Sequence, residues 1–239
     1  MTIEGKAVLV TGANRGIGRA LVDEALSRDV KRVYAGTRQP FTHADGRVTP
    51  LALDVTSAAQ VRAAADQVSS LDILINNAGV FLFDDLSDRA VLERHLAVNF
   101  FGTYAVIQAF LPMLTRSEGA IVNNISLAAL APIPLTPAYS ISKAAAFNLT
   151  QSLRALLAGR GVRVHAALTG PVDTDMVREL DIPKASARSV AQGILDGLEK
   201  GEEEIFPDPL SASLAASWYG GAAKALERQN AALVQAQPA

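Results

Sequence analysis

The sequence predicts an α/β fold, a doubly wound and mostly parallel sheet with helices on both faces, built as a single domain over residues 1–239. Three observations carry this. Short β-branched runs alternate with longer helical patterns along the chain, the order that gives a parallel sheet covered on both sides. At 49% hydrophobic and 19% charged, the chain has apolar mass for a large core and too little charge for disorder. The first strand-to-helix turn is glycine-rich.

Taken in order, Ala7–Val10, Arg32–Ala35, Val48–Leu53, Ile73–Ile75, Ala120–Ile125 and Val162–Ala167 read as strands. Segments starting near Gly16, Ser57, Asp88, Tyr139 and Ser189 read as helices. Between Thr37 and Val48 the chain has Gln-Pro, His-Ala-Asp-Gly and no helical period, so a loop is expected in place of a helix. From Ser211 to Gln235 the pattern is helical with a break at Gly220–Gly221, and the last few residues are expected to fray.

Net charge is -2 with both signs spread along the chain, which argues against nucleic acid or an acidic membrane surface as a partner. The absence of cysteine excludes disulfides and thiolate chemistry. The apolar run Ala7–Val10 is too short for a signal peptide. The longest apolar stretch, Leu96 to Leu114, is interrupted by Asn99, Gly102, Thr103, Gln108 and Pro112, so no membrane span is expected. A cytoplasmic protein is the resulting expectation. His43, His95 and His165 lack ligand spacing, so no metal site is expected. Trp218 reads as packing, and Glu202-Glu203-Glu204 as a solvated strand entry.

Two motifs bear chemistry. Thr11-Gly12-Ala13-Asn14-Arg15-Gly16-Ile17-Gly18 follows a strand and opens a helix. Glycines there permit a tight turn and close approach of backbone to a pyrophosphate, and a helix N-terminus offers free N–H groups and a positive dipole end. This is the context of a Rossmann-type dinucleotide site, although the spacing is Gly-x3-Gly-x-Gly. The second motif joins Ser126 to Tyr139 and Lys143. A Tyr and a Lys four apart share one helix face. A nearby ammonium can draw a phenol down from its ordinary pKa of about 10. A Ser hydroxyl can hydrogen-bond a substrate oxygen as charge develops on it.

Together with Asn76-Asn77-Ala78-Gly79 and Asn99, these motifs stand in the order and spacing of the short-chain dehydrogenase/reductase superfamily, which the chain resembles from Lys6 to about Met176. The match is to its branch of roughly 250-residue, single-domain enzymes, carbonyl reductases among them. The resemblance implies that Tyr139 is the general acid/base. Lys143 would lower its pKa and bind the nicotinamide ribose, Ser126 would orient the carbonyl, and Asn99 would help hold a water in the proton relay. Gly12, Asn14, Arg15, Gly16, Ile17 and Gly18 would cradle the cofactor. Asn76 and Ala78 would lie along its adenosine, Asp54 and Val55 at the adenine, and Val172 and Thr174 at the nicotinamide end. Asn77 and Gly79 read as structural. The family usually has Pro-Gly where this chain has Thr169-Gly170, and a helix where this chain has the loop after Arg38.

Three finer expectations follow. No Asp or Glu occurs from Val30 to Ala44, where an acid would bind a ribose 2′-hydroxyl, whereas Arg38 and Arg15 can bracket a 2′-phosphate. NADP(H) is therefore expected rather than NAD(H). No charged side chain occurs from Leu96 to Thr115, and only Lys143 and Arg154 are charged from Tyr139 to Gly159. Helices this apolar need burial on more than one side, so a homodimer or homotetramer is expected. Ala120 to Ser142 carries no formal charge and is rich in Leu127, Leu130, Ile133, Pro134 and Leu135, with Phe81, Leu82 and Phe83 on a loop reaching the same cleft. The expected substrate is an uncharged, mainly apolar aldehyde or ketone, or the corresponding alcohol. Arg178 and Lys184, in the substrate lid expected at about 174–189, keep a 3-oxoacyl thioester as the alternative. A non-catalytic dinucleotide sensor would have lost catalytic side chains that are intact here. A nucleotide-sugar epimerase needs a larger C-terminal part than the roughly sixty residues after Thr174.

Overall fold

Residues 1–235 are described in the computed structural model. Strands β1 (Ala7–Thr11), β2 (Arg32–Thr37), β3 (Val48–Ala52), β4 (Ile73–Asn76), β5 (Ala120–Asn124) and β6 (Arg163–Ala167) form one parallel sheet with β9 (Glu204–Ile205). The order is β3-β2-β1-β4-β5-β6-β9. The chain runs outward to β3, then returns and continues from β4, so strand order reverses between β1 and β4. A crevice opens there at the carboxyl ends of the strands. A second, two-stranded ladder joins β7 (Val172–Asp173) to β8 (Ala185–Ser186).

Strand side chains alternate between the two faces. Val8, Val10, Ile73, Ile75 and Val122 pack with α1 (Gly16–Ser27) and α6 (Ala187–Lys200). Leu9, Leu74, Ile121 and Val164 pack with α2 (Ala58–Gln67), α4 (Thr103–Arg116) and α5 (Pro137–Leu157). Phe110, Ile107 and Leu114 of α4 are wholly buried, each contributing roughly 1.5–3 kcal/mol of burial. Ahead of α4, α3 (Arg89–His95) and a π-helical stretch, Leu96–Gly102, complete a continuous helical rod of 28 residues. By length and composition alone that rod would suffice to cross a membrane. Its Val106–Leu114 face is nevertheless committed to the sheet, as in a core helix.

The loop expected after Thr37 is present, and no helix lies between β2 and β3. The C-terminal segment breaks twice rather than once, into α7 (Pro209–Ala212), α8 (Ala215–Tyr219) and α9 (Ala222–Gln235). The expected fraying concerns residues 236–239, which lie outside the described residues. Glu204 corrects the solvated reading of the acidic triplet. It is fully buried on β9, with Lys224 Nζ of α9 2.8 Å from its carboxylate and Arg154 of α5 at 2.7 Å. Glu227 joins the same cluster, so α9 is clamped to α5 by paired charges that would each be costly to bury alone.

Candidate active site

The crevice is assembled by side chains that tie strand ends together. Thr11 Oγ1 accepts the backbone N–H groups of Asn77 (2.9 Å) and Ala78 (3.0 Å), drawing the end of β4 onto β1. Asn77 donates to Thr11 O at 3.0 Å and accepts from Asn124 Nδ2 at 3.0 Å, bringing in β5. Its structural reading therefore fits the geometry. Thr169, standing where the family has proline, donates to Asn124 Oδ1 and to Ile125 O, each at 3.3 Å. Gly170 N–H donates to Asp208 Oδ2 at 2.8 Å, and a Cβ there would sit 2.7 Å from Asp208 Oδ1. Asp208 carries no signal in the sequence, because it lies far along the chain from the residue it holds.

The glycine turn is a backbone cradle. Gly16 has φ +53°, a conformation that favours glycine. A Cβ on Gly18 would lie 2.1 Å from Gly12 O, so helix α1 starts in contact with the turn before it. No side chain caps the first turn of α1, whose N–H groups are left for an anion. The turn and the uncapped helix start fit the pyrophosphate of a dinucleotide. Asn76 Oδ1 is buried without a partner among the described residues, on the α5 side of the sheet, where Asn76 Nδ2 donates to Asn123 Oδ1 at 2.9 Å. Asn14 and Arg15 are exposed at the turn, with Arg15 3.6 Å from Asp175, and Ile17 packs against the core. Arg38 is exposed just past β2. Burial pulls the Asp54 carboxyl upward, but hydrogen bonds from Thr56 and the nearby Arg38 outweigh it and hold it below its ordinary value. Val55 is buried against Gly102 of the π-helical stretch. Val172 is buried, and the Thr174 methyl faces Gly16. The residues nominated for the cofactor lie at, or in the turns just past, the carboxyl ends of the parallel strands.

Tyr139 lies in the first turn of α5, which opens with Pro137 at a position where a missing N–H costs nothing. Ser126 stands close enough to the Tyr139 hydroxyl to favour its ionised form slightly. Ser126 Oγ accepts Ala128 N–H at 3.1 Å. One turn along α5, Lys143 Nζ donates to Asn124 O at 2.8 Å and lies 5.7 Å from the Tyr139 ring centre. Sequence reasoning brought these three residues together, and the geometry agrees. It departs on electrostatics. Burial pushes the Tyr139 phenol up to about 12, the nearby Ser126 hydroxyl only partly offsetting it. Burial equally pulls Lys143 down to about 8, so its ammonium is itself disfavoured and does not depress the phenol as expected.

Asn99 is bound to the loop that carries Val80 and to α5. Its Oδ1 accepts Val80 N–H at 2.9 Å, and its Nδ2 donates to Val80 O at 3.0 Å and Ser142 Oγ at 2.9 Å. Both amide protons are thus engaged by the loop and by α5, while Oδ1 keeps one further acceptor site. The π-helical stretch around it is a departure from α-geometry often found at functional sites.

A cavity of about 320 Å³ lies between Phe81, Leu82 and Phe83 on one side and Asp175–Leu180 on the other. Phe81 meets the Tyr139 ring edge-on at 5.1 Å, which brings the cavity wall against Tyr139. The loop wall is apolar, as expected, but the lid wall brings Asp175, Arg178 and Glu179. No group of three or more potential metal ligands gathers among the described residues.

The family model for short chain dehydrogenase matches residues 6–184, and the chain belongs to that family. It is 36% identical to 2-(S)-hydroxypropyl-CoM dehydrogenase 3 of Xanthobacter autotrophicus, over 80% of this chain and 82% of that one. It is 33% identical to estradiol 17-beta-dehydrogenase 2 of Mus musculus over 76% of this chain, and spans 52% of that protein's length. Among solved structures it is similar to a short chain dehydrogenase of Burkholderia cenocepacia in complex with NADP, with a TM-score of 0.88 and 35% identity. That likeness covers 96% of this chain and 98% of the other.

Proposed function

We propose that this protein is an NADPH-dependent reductase that converts an uncharged, mainly apolar aldehyde or ketone to an alcohol. The observation that carries the reading is the buried Tyr139, near Ser126 and in edge contact with Phe81 of a cavity whose loop wall is apolar. When bound, NADPH supplies the hydride that reaches the carbonyl carbon. Tyr139, held protonated well above neutrality, presents its proton to the carbonyl oxygen. Ser126 orients that oxygen, its own N–H contact from Ala128 leaving its hydroxyl proton to donate. Lys143 holds the end of β5 through Asn124 O and faces the ribose side of the site.

The choice of NADPH rests on Arg15 and Arg38 and the absence of acid from Val30 to Ala44, and the NADP-bound Burkholderia structure supports it. Assayed against neutral aryl and aliphatic ketones, aldehydes, steroids and a 3-oxoacyl thioester, the enzyme should favour a neutral carbonyl. It should also favour NADPH over NADH by about tenfold or more in kcat/KM, a preference that Arg38→Ala largely removes. Preference for a small keto acid, or equal use of both cofactors, would overturn these assignments. The thioester is retained as a second reading because Arg178 lines the cavity on the lid.

The same proposal includes a cytoplasmic location, no membrane or nucleic-acid partner, and a homodimer or homotetramer. Phe101 and Tyr104 on the long rod and Ile141 and Leu156 on α5 are exposed, on two helices that carry almost no charge. An apolar surface of this kind calls for a second subunit. Light scattering at micromolar concentration should give a mass at least twice that of the 25.1 kDa chain, and a monomer would refute the assembly.

A further inference from the structure

His95 ends α3, is completely buried, and has no part in the steps above. Both of its nitrogens are nevertheless engaged. Nδ1 lies 2.8 Å from Val91 O, and Nε2 lies 3.1 Å from the backbone nitrogen of Leu82. A carbonyl oxygen can only accept and a backbone N–H can only donate. These partners therefore dictate a neutral ring with its proton on Nδ1 and an acceptor at Nε2.

The Leu82 bond leaves the helix and reaches the loop that carries Phe81. One turn further along, Asn99 grips both the N–H and the C=O of Val80. Two side chains of the same rod thus pin the main chain on either side of Phe81. Between those pins, Phe81 lies edge-on to the Tyr139 ring, with centroids 5.1 Å apart and planes at 74°. The His95 ring meets the same phenol at 6.1 Å and 71°. The proton donor is therefore flanked by one ring that is His95 and another whose place His95 helps to fix.

We propose that His95 is a positioning residue for the proton donor: its Nε2 acceptor pins Leu82 so that Phe81 and the imidazole hold the Tyr139 ring in place beside Ser126. The inference rests on Tyr139 being the donor. A role confined to packing would need only a ring of this size, which phenylalanine supplies. Positioning through Leu82 needs an acceptor at the far end of the side chain, which glutamine supplies and phenylalanine and asparagine do not. Displacing reacting groups by about an ångström can cost up to a hundredfold in rate.

The test compares His95→Phe, His95→Asn and His95→Gln on the best ketone from the carbonyl panel, with NADPH affinity by fluorescence and with Tyr139→Phe as control. His95→Phe and His95→Asn should lose roughly tenfold or more in kcat with NADPH affinity nearly unchanged, and His95→Gln should recover most of it. If His95→Phe does not fold, the Gln and Asn pair decides. Equal rates in that pair, a wild-type rate in His95→Phe, or unfolding of all three would overturn the inference. Near-normal turnover in the Tyr139→Phe control would instead overturn the reading of the donor.

Discussion

Replacing Tyr139 by phenylalanine should lower turnover by about a hundredfold or more while leaving NADPH binding largely intact. The substitution removes one oxygen and keeps the ring. Phe81 and His95 would still find an aromatic edge to pack against, so the site should keep its shape. What is lost is the hydroxyl that the proposed step uses as its acid. Because burial holds the phenol up to about 12, the donor form is fully populated at neutral pH. Steady-state kinetics on the purified variant, with NADPH titrated by fluorescence, check this. Turnover close to wild type would remove Tyr139 from the mechanism.

Replacing Lys143 by methionine should abolish useful turnover and yet stabilise the protein at neutral pH. Lys143 falls from 10.5 to about 8 on folding because it is buried, a difference equivalent to about 3 kcal/mol. Between pH 8 and 10.5 the unfolded chain binds more protons at this site than the native one, so its contribution to stability rises with pH across that window. Below pH 8 the full penalty of burying the ammonium is present. Methionine removes that penalty but leaves Asn124 O without its 2.8 Å donor, a loss of about 1–3 kcal/mol at most. A net gain of about 1 kcal/mol at pH 7, shrinking toward pH 10, is the expected outcome in thermal melts. A variant less stable than wild type at pH 7 would show that the lysine holds the fold rather than burdening it.

Much of this site is legible in the sequence because its elements are local. Tyr139 and Lys143 are one helical turn apart, and the glycines lie within eight residues of each other. The six strands that were read are apolar runs bounded by breakers. What escaped is non-local or short. β9 has two residues and gives no period to detect. Glu204 reads as solvated because its partner Lys224 is twenty positions away and on a different element. His95 lacks ligand spacing, and only the fold shows that Leu82 and Tyr139 meet it. Asn99 was given a place at the proton relay by the family resemblance alone, and its side-chain partners became visible only with the loop that returns to it. The pKa of Tyr139 was expected to fall because a lysine stands four residues away. That expectation omitted the burial of both groups, which the sequence does not state.

The most direct measurement is isotopic. Purified protein would be incubated with NADPH deuterated at both positions of the nicotinamide C4 and with the pooled neutral ketones and aldehydes of the panel. Mass spectrometry of the products should find an alcohol carrying one deuterium on its carbinol carbon, and no such product with Tyr139→Phe over the same time. No labelled alcohol from any neutral carbonyl, or equal labelling by wild type and Tyr139→Phe, would contradict a carbonyl reductase working through this site.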